Sequence, residues 1–200
     1  MPTSRRRAAF VRGACALAML LAGPAMAGEA WVGTYRHRHG LADCELVVVR
    51  ADRRVEYRGC GLPTRIWRQL DDGVELLELH PEQGYAVRYA PGDLRALDRE
   101  PDWSHVSGLA PPALRTALGP GKAVRTLSHD AIRYRGRGSD GRAVELDWLP
   151  EAALPALYRV GDRKRDGESF ELRRLQREDD TQAFATTSGL REIDGADLGD

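Results

Sequence analysis

Along most of this chain hydrophobic positions recur every second residue, the period of a strand with one buried face. Trp31, Gly33, Tyr35 and His37 alternate with Val32, Thr34, Arg36 and Arg38. Runs at 64–70 and 74–79 flank Asp71-Asp72-Gly73, a hairpin signal, and Pro81-Glu82-Gln83-Gly84 turns the chain into a further run at 85–90. Around Gly138-Ser139-Asp140-Gly141, Ile132 and Tyr134 alternate with arginines, and Val144, Leu146 and Trp148 with acids. A register centred on Asp140 sets Arg133 opposite Asp147 and Arg135 opposite Glu145. It stacks Tyr134 on Leu146 and Ile132 on Trp148, giving one apolar and one charge-paired face. Pro150 and Pro155 delimit a connection, and runs at 156–161 and 168–175 make a last hairpin around a polar turn at 162–167.

The middle of the chain breaks this rhythm. Pro91-Gly92-Asp93 ends a strand, and Asp93 is placed to cap a short helix running through Leu97. A second helix is predicted at 112–118, with Pro112 near its start and Gly119 past its end. After Arg177 the sequence is acidic and poor in apolar residues. The pattern predicts a mainly β protein of about nine to eleven antiparallel strands, with one or two short helices. Its architecture is a strongly curved antiparallel sheet closed partly by the helices. A single domain spans 28–177, and 178–200 reads as an acidic tail that is flexible until it docks, with docking left open.

The N-terminus supplies the compartment. Arg5-Arg6-Arg7 and Arg12 precede a short apolar stretch at 14–22, Gly23-Pro24 breaks it, and Ala25-Met26-Ala27 matches a small-x-small cleavage pattern. This reads as a secretory signal peptide cut after Ala27, with export by the general or the twin-arginine route, and it places the mature chain in the periplasm. The stretch is too short to span a bilayer, and no later segment reaches 18 uncharged apolar residues, so no transmembrane segment is expected in the mature chain. The whole chain carries 30 basic and 30 acidic residues. Losing the arginine-rich leader leaves a mildly acidic, mixed surface, which argues against nucleic acid as a partner.

Of three cysteines, Cys15 falls in the leader, leaving Cys44 and Cys60 for an oxidising compartment. Both lie on β-like runs. A three-residue loop, Ala51-Asp52-Arg53, pairs residue 50 with 54. Continued outward, it sets Val49 across from Val55, Val47 across from Tyr57 and Cys44 across from Cys60, within disulfide reach. Two unpaired buried thiols are the alternative, and metal binding by the pair ranks below both because a C-x₁₅-C spacing has no partner pair nearby.

Candidate chemistry is sparse. His37 and His39 point to one face of a strand and could hold a borderline metal; the alternative is an exposed pair on an arginine-rich edge. No G-x-S-x-G, S-x-x-K or phosphate-binding loop occurs, and the adjacency of Ser128, His129 and Asp130 is not how triads are built. Nothing asks for a cofactor or an enzyme, although an exported hydrolase with dispersed catalytic residues stays open. Among the aromatics, Trp67, Tyr85, Tyr89, Trp103 and Trp148 are the candidates to line a ligand site inside the curved sheet. An ordinary filled core is the alternative.

The last two hairpins resemble the periplasmic lipoprotein-carrier (LolA/LolB-like) family. The matching stretches are Ile132-Arg133-Tyr134-Arg135-Gly136, 140–148, Leu154-Pro155-Ala156-Leu157-Tyr158-Arg159-Val160 and Phe170-Glu171-Leu172-Arg173-Arg174-Leu175. They show strand, tight turn, strand ending in an acid, a Leu-Pro start and a final hairpin. The resemblance implies an unclosed β-barrel with a helical lid, and binding of acyl chains or lipid-linked partners. The cysteine hairpin is not carried over from it. The expectation is therefore a periplasmic, non-enzymatic binding or chaperone-like protein whose partner is a lipid or a lipidated envelope protein. Metal binding through His37 and His39 is the second reading.

Overall fold

The computed structural model describes residues 28–161 and 167–198. The expected leader and its cleavage site lie outside the described residues, as does most of the turn expected at 162–167. Two meanders meet in the middle of one sheet. The first runs β1 (Glu29–His39), β2 (Ala42–Arg50), β3 (Arg54–Gly59), β4 (Leu62–Leu70), β5 (Gly73–His80) and β6 (Tyr85–Tyr89). Short helices α1 (Pro91–Ala96), α2 (Trp103–Val106) and α3 (Pro112–Ala117) follow. The second meander is β7 (Lys122–Thr126), β8 (His129–Arg137), β9 (Ala143–Leu149), β10 (Leu154–Val160) and β11 (Glu168–Asp179). Helix α4 (Asp180–Ala183) and strand β12 (Arg191–Asp194) end the described chain, with a 3-10 turn at Gly195–Leu198.

The strand order is β12-β6-β5-β4-β3-β2-β1-β11-β10-β9-β8-β7, a single curved sheet of 12 strands that does not close into a barrel. The central seam is the antiparallel pairing of β1 with β11, from Glu29 opposite Asp179 to His39 opposite Glu168. No helix among the described residues is long and apolar enough to cross a membrane.

Each face of the sheet has its own cover. On one face, Tyr35, Val48, Val55, Leu146, Trp148, Tyr158, Phe170 and Leu172 form the main core, roofed by Trp103, Leu109, Leu114 and Leu118 from the helical segment. The buried Tyr35 hydroxyl donates to the Pro155 carbonyl at 2.9 Å, tying the two meanders across the seam. Burial pushes the Tyr35 phenol well above its ordinary range. On the opposite face of the first meander lie two smaller clusters: Ala30, Val32 and Val49 under Ala183 and Phe184, and Ile66, Leu77, Leu79 and Ala86 under Ala185 and Leu190. Along the second meander this face is charged, as the alternation predicts. Arg133 makes two bonds to Asp147 at 2.7 and 2.6 Å, and Glu145 holds both Arg135 and Arg159.

The hairpin centred on Asp140 has the expected register, Ile132 opposite Trp148 through Arg135 opposite Glu145. The β2–β3 hairpin does not. Its loop is one residue longer, closed by Ala51 N–H to Arg54 C=O at 2.9 Å, so Val48 faces Tyr57 and Arg50 faces Val55. Val47 and Val49 consequently pack on the opposite face, beside Ala30 and Phe184. A left-handed turn at the far end restores the cysteine pairing. Gly59 (φ 113°) and Cys60 (φ 56°) bend the chain so that Cys60 N–H donates to the Glu45 carbonyl at 3.1 Å. A Cβ on Gly59 would meet that carbonyl oxygen at 2.3 Å, so only glycine fits there. Cys44 and Cys60 form the disulfide with Cα atoms 5.1 Å apart.

Two other expectations are corrected. Helix α1 starts at Pro91, two residues ahead of Asp93, whose carboxylate accepts from the Ala90 N–H at 2.7 Å from inside the first turn. The pairing is not all antiparallel, because β12 runs parallel to β6, Arg191 opposite Tyr85. The segment after Arg177, whose docking the sequence leaves open, lies against the sheet in the described residues. Its few apolar side chains, Ala183 at 2% and Phe184 at 6% exposure, are buried against the sheet, and Ala185 N–H donates to Glu56 Oε2 at 2.7 Å.

Candidate functional site

Strands β1 to β4 end together on the helix-covered face, and there the core is incomplete. A cavity of about 290 Å³ opens between these strand ends and Leu109, three residues past the end of α2. Alternation puts Leu46, Tyr57 and Trp67 on its floor, His37 and Phe170 on its wall, and Leu62 and Pro63 at its rim. Leu62 is 63% exposed at this rim, and Leu41, in the β1–β2 turn, is fully exposed. Arg58 and Arg65 are the cations of the lining, and Arg65 is paired with Glu78 at 2.7 Å. The Tyr57 hydroxyl donates to the Val106 carbonyl at 2.7 Å, which pins α2 over the cavity. Burial raises the Tyr57 pKa above its ordinary range, so it is a permanent donor. A small, apolar, partly open site with a few polar groups at its edge suits one apolar segment; its volume is near the low end, about 300 Å³, of ligand pockets.

One wall of the cavity is the disulfide and its histidine. His37 Nδ1 lies 3.7 Å from both Cys44 Sγ and Cys60 Sγ, and Nε2 lies 3.1 Å from Glu168 Oε1. The imidazole stacks on Phe170 with centroids 4.3 Å apart and planes 1° from parallel. His39, two residues on, is exposed and opposite Ala42, and both His37 nitrogens are directed elsewhere. The potential metal-ligating group among the described residues is His37 with Cys44 and Cys60, not His37 with His39.

The aromatic candidates are scattered. Trp67 lines the cavity. Trp148 is 8% exposed in the main core with Arg115 stacked over it at 4.2 Å, and Trp103 packs against the same core from α2. Tyr85 stacks on His80 at 4.7 Å, and Tyr89 lies between Arg99 and Gly195 near the β12 edge. These four are not part of the cavity lining. His129, between Ser128 and Asp130, sets its ring edge-on to Trp31 at 6.0 Å. The residues that pattern reading missed are Leu109, Phe170, Leu62 and the His37–Glu168 pair. Phe170 and Glu168 reach the site only through the β1–β11 seam, which no local spacing announces.

No family model and no curated protein matches this sequence. Solved structures that are similar include an uncharacterized conserved protein from Thermus thermophilus, at 13% identity over 84% of this chain and 91% of that one, with a TM-score of 0.49. MucB in the MucA/MucB complex of Pseudomonas aeruginosa is similar at 13% identity over 79% of this chain, with a TM-score of 0.49; the match spans 56% of that chain. PNGF-II is similar at 8% identity over 86% of this chain and 33% of its own, with a TM-score of 0.45.

Proposed function

We propose that this protein is an exported, periplasmic, non-enzymatic binding protein that receives an apolar segment, an acyl chain of a lipid or of a lipidated partner, in the cavity beneath Leu109. The observation that carries the reading is the opening beside the core: Leu46, Trp67, Leu109 and Phe170 line about 290 Å³ of partly open space. Interiors are ordinarily filled to crystal density, so apolar walls held apart favour a guest over bare solvent. The exposed Leu62 at the mouth extends the apolar lining outward, where a chain would enter. The leader pattern supports export, as does the disulfide, which belongs in an oxidising compartment.

Titration with a fluorescent fatty acid tests it. The mature protein is expected to bind one probe per chain, and Leu109→Glu, a carboxylate over the cavity, to weaken binding at least tenfold. Tyr89→Ala, away from the cavity, is expected to leave affinity unchanged. No saturable binding, or equal loss in both variants, overturns the assignment. The mass of the exported chain checks the compartment: it is expected to begin at Gly28, and an intact leader contradicts cleavage after Ala27.

A further inference from the structure

His37 is held as metal-ligating histidines are held. Phe170 fixes the plane of the ring by stacking, and Glu168 takes the Nε2–H at 3.1 Å. A carboxylate on one ring nitrogen fixes the tautomer and leaves the lone pair on the other free to ligate. That other nitrogen, Nδ1, faces two sulfurs at 3.7 Å each. In tetrahedral zinc sites with Zn–S about 2.3 Å and Zn–N about 2.0–2.1 Å, nitrogen and sulfur ligand atoms stand ~3.6 Å apart. The two nitrogen–sulfur spacings of such a site are thus present in the folded protein. All three donor atoms lie within 4.8 Å of one another, and the chemistry still wanting is two free thiolates.

We propose that Cys44, Cys60 and His37 form a redox-gated zinc site, shut while the cysteines are joined and able to take Zn(II) once they are reduced, with Glu168 as the positioning residue of the imidazole. The reduction is a thiol–disulfide exchange with a dithiol reductant. One reductant thiolate attacks a cysteine sulfur, forms a mixed disulfide and releases the other cysteine as thiolate. The second reductant thiol then displaces the remaining cysteine. The reductant leaves as a disulfide, having supplied two electrons and two protons. Zn(II) binding then releases the two thiol protons to solvent. Cys60 sits in the left-handed turn between β3 and β4 and is only half-buried, so the exchange has an exposed side to start from. Three protein ligands leave the fourth position to water or to a group in the cavity, which His37 and Cys60 also line. The metal replaces the disulfide as the clasp between β2 and the β3–β4 turn. This proposal stands on the donor geometry and is independent of acyl binding.

The experiment is a competitive Zn(II) titration of the mature protein against a chromophoric chelator, before and after anaerobic reduction with a phosphine. Co(II) is then substituted as an optical probe. One Zn(II) per chain is expected after reduction and none before it, and Co(II) is expected to give thiolate charge-transfer absorption with tetrahedral visible bands. His37→Asn is expected to lower affinity more than tenfold, and Glu168→Gln, which leaves every ligand in place, by about 10–100-fold. Reduced protein that binds no more tightly than the Cys44→Ser, Cys60→Ser double variant overturns the proposal. So does wild-type affinity in His37→Asn, which would leave only two thiolates capturing the ion. Should His37→Asn fail to fold, Glu168→Gln and the wild-type Co(II) spectrum decide: unchanged affinity or octahedral bands count against the site.

Discussion

Deleting the Phe184 ring asks whether the C-terminal segment is a structural part of the sheet. Phe184 is 6% exposed and closes a cluster with Ala30, Val32, Val49 and Ala183. The Arg54 guanidinium lies 4.0 Å from its ring centroid, and burial pulls the Arg54 pKa below its ordinary value. A phenylalanine removes about 150–250 Å² from water, which at about 25 cal/mol per Å² gives an upper figure of roughly 4–6 kcal/mol. Core Phe→Ala changes cost about 3–5 kcal/mol. Here the neighbours are small and segment 183–190 is a surface strap able to settle inward, so Phe184→Ala is expected to cost about 3 kcal/mol. The lost cation–π contact accounts for about 0.5–1 kcal/mol of it. Urea unfolding followed by tryptophan fluorescence reads the loss as a midpoint shift of about 1–2 M at an ordinary slope. Limited proteolysis in parallel is expected to open 184–190 to cleavage. A loss under about 0.5 kcal/mol with unchanged proteolysis would refute the claim that this ring locks the segment to the second face.

Glu56 gives a pH-dependent readout of the same contact. It is fully buried, accepts from the Ala185 N–H, and faces Arg58 at 3.2 Å; desolvation holds its pKa above the ordinary 4.5. The folded state therefore keeps this proton to higher pH than the unfolded state. The group favours folding below 4.5, and that contribution is lost as pH rises through the raised value. Glu56→Gln, which cannot ionise, is expected to gain stability relative to wild type between about pH 4.5 and neutrality; a difference in urea midpoint that stays flat with pH contradicts this. Asp147→Asn removes one partner of a pair whose carboxylate is 3% and guanidinium 35% exposed. Because Arg133 can rehydrate, the cost is expected near ~2 kcal/mol, below the about 3–5 kcal/mol of a fully buried pair; a loss under about 0.5 kcal/mol by chemical denaturation contradicts it. Reducing the disulfide under metal-free conditions, with a sequence separation of 16, is expected to cost about 3 kcal/mol. An unchanged unfolding midpoint under reductant contradicts that figure.

What could be read in advance depended on whether local signals agreed. Around Asp140, turn residues, alternation and opposite charges all specify one register, and the structure has it. In the β2–β3 hairpin they do not. The loop from Ala51 to Arg54 holds no glycine or asparagine, and Val47, Val48 and Val49 are acceptable on either face, so polarity leaves the register free to slip by one. Burial of valines on both faces of β2 settles it. The docking of the segment after Arg177 stays open in the sequence for a related reason. Its acids dominate the composition, while the packing of Ala183-Phe184-Ala185 decides where it lies. At the site, Trp67 was legible as an aromatic on a strand. The bond of His37 to Glu168 spans 131 positions in sequence, and its stacking on Phe170 lies across the same seam, beyond any spacing rule.

Methyl NMR of the leucine-labelled mature chain, titrated with a fatty acid below its micellar concentration, reads the occupied face directly. Shifts confined to Leu46, Leu62 and Leu109, saturating at one equivalent, are the result predicted by a cavity that takes one apolar chain. Shifts at Leu77 and Leu79 on the opposite face, or none at the three cavity leucines, would contradict it.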